Sequence, residues 1–303
     1  MRIVSLLPSA TEIICGLGLR ENLVGVTHEC DYPLDVAGLA KVTRTLIPKE
    51  ATSREIDDLV RDQLKTQAAL YSLNHEVLRS VRPDLIVTQA LCDVCAVAES
   101  EVHAAARSLP GCPEVINLEP MCLADVFECI RLVGQATQRT SETETYIASL
   151  QSRVDAVVNR TGDLNERPKT LLLEWIDPPF SAGHWSPELV QMAGGKEAIG
   201  VAGKRSETTA WEKIVAADPE VMIIACCGFD VARAMQDFPI LTAYPGWESL
   251  RCVQSKRVYV ADGSAYFNRP GPRLVESLEL LAAAMHPSVH PVPKGLTPFH
   301  QPL

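Results

Sequence analysis

The sequence predicts an α/β protein: two similar lobes, each on a mainly parallel sheet, joined by a long helix. Three observations carry this. Short apolar runs alternate with helical patterns, as in parallel sheets flanked by helices. Between Met121 and Val158 helical spacing holds with no Gly or Pro except Gly134. Two blocks of sequence occur twice, in the same order. At 303 residues the chain has room for two domains of about 150 residues each.

The elements follow in order. Ile3–Leu7 reads as a strand, and Ser9-Ala10-Thr11-Glu12 as a capping box that opens a helix. Leu23–Val26 is the second strand. Arg54 to Leu70 places Ile56, Leu59, Val60, Leu64 and Ala68 on one helical stripe. Leu85–Thr88 and Val115–Leu118 are strands. The pattern from Met121 to Val158 then exceeds the ordinary helix of about 11–12 residues and reads as a rigid spine. A polar linker, Asn159 to Pro168, leads to strands Thr170–Leu173, Val221–Ala225 and Val258–Val260. After Ala284, Pro287, Pro291, Pro293, Pro298 and Pro302 prevent regular structure, so an extended surface tail with His286, His290 and His300 is expected. The expected division is an N-terminal lobe 1–120, a spine 121–160, a C-terminal lobe 161–285 and a tail 286–303.

The repeats support two equivalent lobes. Glu12 to Glu21 resembles Glu188 to Glu197, with Pro8 and Pro187 ahead of them. Glu76-Val77-Leu78 leads to Pro83-Asp84-Leu85, and Glu212-Lys213-Ile214 to Pro219-Glu220-Val221, with the same spacing from Glu to Pro.

A net charge of −10 argues against nucleic-acid binding through a basic surface. No 18-residue apolar run is free of charge, so no membrane span is expected. The ten cysteines suggest disulfides only in a secreted chain. Glu12 interrupts the apolar stretch that a leader would need, so Ile3–Leu7 belongs to the fold and the cytoplasm is the expected location, with the periplasm as the alternative. The cysteines are then thiols or metal ligands. Cys15 and Cys129 fall in helical patterns and read as core filler.

In parallel α/β sheets ligands bind beyond the carboxyl ends of the strands. Those ends carry His28, Cys30 and Tyr32; then Gln89, Cys92 and Cys95; then Glu119; then Trp175, His184 and Trp185; then Cys226 and Cys227; then Tyr266 and Arg269. Two functions follow from this set. Tyr32, Trp175, Trp185 and Tyr266 would grip a flat ligand in a cleft between the lobes, with Gln89, Glu119 and Arg269 orienting it. Alternatively, Cys30, Cys92, Cys95, His184, Cys226 and Cys227 would hold zinc or an iron-sulfur centre in a cytosolic metalloprotein. A third reading is a thiol redox enzyme at the Cys92–Cys95 CxxC. No dinucleotide fingerprint, P-loop, GxSxG or HExxH occurs, and an enzyme is not the expectation.

Several pieces in order resemble the class III, TroA-like, iron-siderophore and cobalamin substrate-binding proteins of ABC importers. They are Arg2-Ile3-Val4-Ser5-Leu6, Pro8-Ser9-Ala10-Thr11-Glu12, Cys30-Asp31-Tyr32-Pro33, Pro83-Asp84-Leu85-Ile86, Ala193-Gly194-Gly195, Asp218-Pro219-Glu220-Val221 and Arg269-Pro270-Gly271-Pro272-Arg273. The resemblance spans roughly residues 2–285 and is nearest to cobalamin-binding members. It implies two Rossmann-like lobes on a helical backbone and a metal-containing ligand, a cobalamin-like corrinoid or an iron-siderophore, bound without chemistry. It also implies acidic residues that dock on a permease, for which Glu21 and Glu197 stand at repeat-equivalent positions.

Overall fold

A computed structural model describes residues 1–45, 47–48, 51–66, 71–89 and 97–303. The CxxC of Cys92 and Cys95 and the last four residues of the predicted stripe up to Leu70 lie outside the described residues. The chain divides into two compact units, Met1–Pro120 with Ala124–Ala148, and Met121–Leu123 with Ser149–Leu303.

The N-terminal unit has strands β1 (Ile3–Ser5), β2 (Leu23–Val26), β3 (Ala40–Lys41), β4 (Thr43–Thr45), β5 (Tyr71–Leu73), β6 (Leu85–Thr88) and β7 (Glu114–Asn117). Five form a parallel sheet in the order β3-β2-β1-β6-β7, while β4 and β5 pair antiparallel. Ile3, Val4, Leu85, Ile86 and Val87 are wholly buried, as central strands covered on both faces require. Its helices are α1 (Pro8–Gly16), α2 (Ser53–Thr66), α3 (His75–Val81) and α4 (Glu99–Ser108).

Two local expectations are corrected here. Helix α1 starts at Pro8, with extended Leu7 as N-cap and no side-chain cap. Proline has a helical φ and no N–H to satisfy, so it takes the first helical position. Ser9 is thereby drawn inside the helix and buried, and the capping box does not form. A reciprocal box stands instead at α2, where the Thr52 amide donates to Glu55 Oε2 at 2.8 Å and the Glu55 amide to Thr52 Oγ1 at 3.3 Å.

The predicted spine is two helices, α5 (Leu123–Ala136) and α6 (Thr140–Gly162). Between them Gln138 takes φ +58°, and the Arg139 amide turns back to the Gly134 carbonyl at 2.7 Å. No Gly or Pro marks the break in sequence, because glutamine itself adopts the left-handed conformation. The two helices meet across the turn: Arg131 pairs with Glu144 at 2.9 Å, and Thr143 occupies the space a Cβ at Gly134 would need.

The C-terminal unit has β8 (Lys169–Trp175), β9 (Phe180–Ser181), β10 (Lys196–Glu197), β11 (Glu207–Thr208), β12 (Val221–Ile224) and β13 (Val258–Val260). Its sheet runs β11-β9-β8-β12-β13, and β10 adds parallel to β8. The helices are α7 (Ser186–Met192), α8 (Trp211–Ala217), α9 (Val231–Thr242), α10 (Arg251–Gln254) and α11 (Leu274–Met285). The tail after α11 is irregular but packed: His286 Nε2 lies 3.1 Å from the Gly194 carbonyl, His290 is buried, and His300 pairs antiparallel with Val260 on β13.

The sequence repeats are geometric repeats. Helices α1 and α7 end alike, with Gly18 at φ +72° and Gly194 at φ +85°, conformations that favour glycine. The next amides turn back identically, Leu19 to the Ile14 carbonyl and Gly195 to that of Val190. Helices α3 and α8 end on left-handed Arg82 (φ +45°) and Asp218 (φ +43°), each just before the repeated proline. The acid after that proline then clamps the start of the unit's first strand. The Arg2 amide donates to Asp84 Oδ2 at 2.6 Å, and the Lys169 amide to Glu220 Oε2 at 2.7 Å.

Candidate functional site

In the N-terminal unit the ends of β2, β6 and β7 carry the candidates. Tyr32, before a cis peptide to Pro33, is 45% exposed and followed by Leu34 at 86%. Glu119 is exposed, whereas Gln89 is buried. Cys30 is held inside by hydroxyls, with Sγ 3.1 Å from Thr11 Oγ1 and 3.2 Å from Thr27 Oγ1. Burial pushes its thiol pKa up, away from the thiolate that binds metals. His28 places Nδ1 2.8 Å from Thr43 Oγ1 and its ring lies 5.0 Å from the tilted ring of Tyr71, whose hydroxyl donates to Glu29 Oε1 at 2.6 Å. Burial lowers the His28 pKa, against the opposing pull of Glu29. Tyr71 is a residue that sequence reasoning missed, because β5 pairs with β4 across a long insertion.

In the C-terminal unit the ends of β8, β12 and β13 bring an aromatic and cationic set together. Trp175 packs 4.9 Å from Phe229 and donates its indole N–H to the Asp177 carbonyl at 3.1 Å. The Arg233 guanidinium lies 4.2 Å over the other partner of that pair, Phe229. Beyond β13, residues Gly263–Phe267 form a π-helical turn capped by Asp262, whose Oδ1 accepts the Ala265 amide at 2.7 Å. Burial raises the Asp262 carboxyl pKa. The turn presents half-buried Tyr266, with the Arg273 guanidinium 5.9 Å from its ring. Arg269 is buried and donates to Ser264 Oγ at 3.1 Å. Trp185 is buried too, its indole donating to the Phe267 carbonyl at 2.8 Å.

The structure therefore sorts the predicted ligand set. Tyr32, Glu119 and Tyr266 offer surface. Trp175 and Trp185 have committed their indole N–H groups to their own backbone and support the surface from beneath. Arg233 joins it over buried Phe229, which stands just after the end of β12 at Cys226-Cys227-Gly228.

The predicted metal set is not gathered in this way. Cys226 is buried at the end of β12, and burial pushes its thiol pKa up to about 12. Its neighbour Cys227 is exposed, because adjacent residues leaving a strand point to opposite sides. His184 takes φ +53°, lies 5.3 Å from the Trp185 ring, and has its pKa lowered by burial and by Arg205. Among the described residues, no three His, Cys, Asp or Glu side chains are grouped so as to hold a metal ion.

Glu197, the other expected docking residue, turns its carboxylate inward, where it accepts the Ile199 and Gly200 amides at 3.3 and 3.2 Å. Glu21, its repeat counterpart, is exposed. The reason is local: the chain after Glu197 turns back over it, while Glu21 sits in a surface turn.

Comparison with known proteins places this geometry. The periplasmic binding protein family matches residues 3–265. The chain belongs to that family. Its relatives include an ABC transporter substrate-binding lipoprotein, YvrC, of Bacillus subtilis, 24% identical over 94% of this chain and 80% of the relative. The vitamin B12-binding protein of Vibrio cholerae is 22% identical over 92% of this chain and 86% of its own. Among solved structures, the periplasmic heme-binding protein RhuT of Roseiflexus sp. RS-1 superposes with a TM-score of 0.71 at 23% identity, covering 95% of this chain and 98% of the other. The α/β fold expected from the sequence is this family's, and the chain is a solute-binding protein rather than an enzyme. The expected cytoplasmic location is overturned, since the relatives are periplasmic proteins or lipoproteins. No described helix is long and apolar enough to cross a membrane.

Proposed function

We propose that this protein captures a metal-bearing macrocycle, a cobalamin-like corrinoid first and an iron chelate second, and delivers it to an ABC permease. One observation carries the reading: beyond the strand ends of the C-terminal unit the half-buried Tyr266 lies beside Arg273, and Arg233 lies over Phe229 of the buried Trp175–Phe229 pair. Ring faces take up a flat ligand by apolar contact, and the guanidinium groups meet its peripheral carboxylate, phosphate or amide oxygens. A vitamin B12-binding relative and heme-binding structural neighbours support a ligand of this class. In the N-terminal unit the exposed Tyr32 is the matching candidate.

For permease docking the burial of the Glu197 carboxylate directs attention to the other repeated acids. Glu76 and Glu212 stand in the first turns of the equivalent helices α3 and α8, and both are exposed. One acid on each unit is what a two-point electrostatic docking requires.

The test is titration of the purified protein with cyanocobalamin, hemin and a ferric hydroxamate siderophore, followed by tryptophan quenching and visible absorption. The expected result is one ligand bound with micromolar or tighter affinity. Absence of saturable binding for all three up to ~100 μM overturns the reading.

A further inference from the structure

Glu174 is the last residue but one of β8, directly before Trp175. It is half-buried, and among the described residues no cation pairs with it. Three neutral donors converge on its carboxylate instead. The Ser206 hydroxyl donates to Oε2, while the Gly183 amide and the Ser186 hydroxyl donate to Oε1 at 3.4 Å each. These donors come from two loops, 183–186 and 203–206. The same loops are stitched by the His184 amide, which donates to the Lys204 carbonyl at 2.5 Å. Gly183 lets them approach, because a Cβ there would collide with the backbone of Lys204, Arg205 and Ser206.

Between Gly183 and Ser186 lies Trp185, whose indole donates to the carbonyl of Phe267, the last residue of the π-helical turn. That turn is fixed from the other side by Asn268, whose side-chain amide donates to the carbonyls of Ala225 and Gly263 at 3.1 and 3.0 Å. Hydrogen bonds and the backbone of 183–186 thus link the carboxylate at the sheet end to the turn that carries Tyr266. Burying a carboxylate with no cation is costly where an apolar side chain would fill the same space. What the carboxylate adds is direction, since it collects three donors that an apolar group cannot.

We propose that Glu174 is the positioning residue of the C-terminal ligand surface: it ties the two loops together and, through Trp185 and Phe267, sets the orientation of Tyr266. The consequence for ligand affinity rests on the proposed binding function; the placement of Trp185 does not.

The experiment uses the full chain with Glu174→Gln, Glu174→Leu and Ser206→Ala, each made with and without Trp185→Phe so that the Trp185 contribution is obtained by difference. Glu174→Gln keeps an acceptor oxygen and is expected to preserve the Trp185 emission maximum and near-ultraviolet dichroism. Glu174→Leu is expected to red-shift that emission and abolish the dichroism, with far-ultraviolet dichroism unchanged. Ser206→Ala, which removes one of three donors, gives the intermediate result and serves if the Leu variant does not fold. Whichever of cyanocobalamin, hemin or the ferric hydroxamate the wild type binds is expected to bind about tenfold more weakly to the Leu variant and less than about threefold more weakly to the Gln variant. If the wild type binds none of cyanocobalamin, hemin and the ferric hydroxamate, the binding function fails, and the Trp185 signal alone decides this proposal. Unchanged Trp185 signals in both the Leu and the Ala variants overturn it, as does weakened binding without any change at Trp185.

Discussion

Gly16 lies directly beneath the ring of Tyr146: a Cβ at Gly16 would stand 2.5 Å from Tyr146 Cε1. This is how the C-terminal end of α1 meets α6 in the N-terminal unit. Gly16→Ala is therefore expected to destabilise the protein by about 1–3 kcal/mol, the usual cost of overpacking, although alanine favours helix. Urea unfolding measures it, and Tyr146→Leu in the same chain should recover part of the loss.

Two carboxyls set a pH dependence. Burial raises both Glu174 and Glu197 to about 7 from an ordinary value of 4.5. A carboxyl pKa raised in the folded state gives stability that is fully present below about pH 4.5 and lost as pH rises to about 7. Two histidines act in the opposite direction. His286 and His290 have lowered pKa values, so their contribution is present above the ordinary 6.5 and lost as pH falls through the folded values. Glu197→Gln is expected to remove one of the carboxyl slopes, so its stability relative to wild type should improve by roughly 1–3 kcal/mol between pH 5 and pH 8. Unfolding midpoints at the two pH values provide the check.

Tyr266→Ala is expected to weaken ligand binding by about 10- to 100-fold, because it removes the aromatic face the π-helical turn presents. Trp175→Ala should cost stability as well, since Trp175 is buried against Phe229. Calorimetric affinity together with the melting temperature separates the two: Tyr266→Ala moves the first, Trp175→Ala both.

Gly263→Ala offers a subtler perturbation of the same turn. A Cβ at Gly263 would strike the Cys226 carbonyl and crowd the Asn268 amide. The turn must move to admit it, so affinity should fall by about tenfold while the far-ultraviolet spectrum is retained. Ligand titration checks the effect.

For permease docking, Glu76→Arg and Glu212→Arg are expected to leave ligand affinity unchanged and to depress the ATP hydrolysis that this protein stimulates in the permease complex by about tenfold each, through charge reversal at an interface. Glu197→Gln should leave that hydrolysis unaltered. Reconstitution with the cognate permease in lipid provides the measurement.

The sequence was most readable where local rules decide. Buried strands such as Leu85–Thr88 and Leu23–Val26 stood at their predicted bounds, because continuous apolar runs between turn residues leave little choice. The repeat was legible for the same reason: Gly18 and Gly194 serve one turn geometry twice. The break in the spine was not, since Gln138 is left-handed without being glycine. Strand-end positions named the residues that the C-terminal unit places near one another, but periodicity gives no exposure. It could not show that Trp185 would face a backbone carbonyl and Tyr266 the surface. Nor could it reveal the burial of the Glu197 carboxylate, which depends on how the following residues fold over it.

The pairing of His300 with Val260 has a consequence for self-association. Strand β13 ends its sheet, and an unpaired outer edge is a template for joining a second chain. The tail occupies that edge at one point, and Phe299 lies 5.8 Å from Phe267 beside it. Pro298 and Pro302 flank the contact and supply no amide hydrogens, so the tail that covers the edge cannot become an edge in its own right. At that point the edge offers no template for sheet growth: a segment without regular structure of its own caps it.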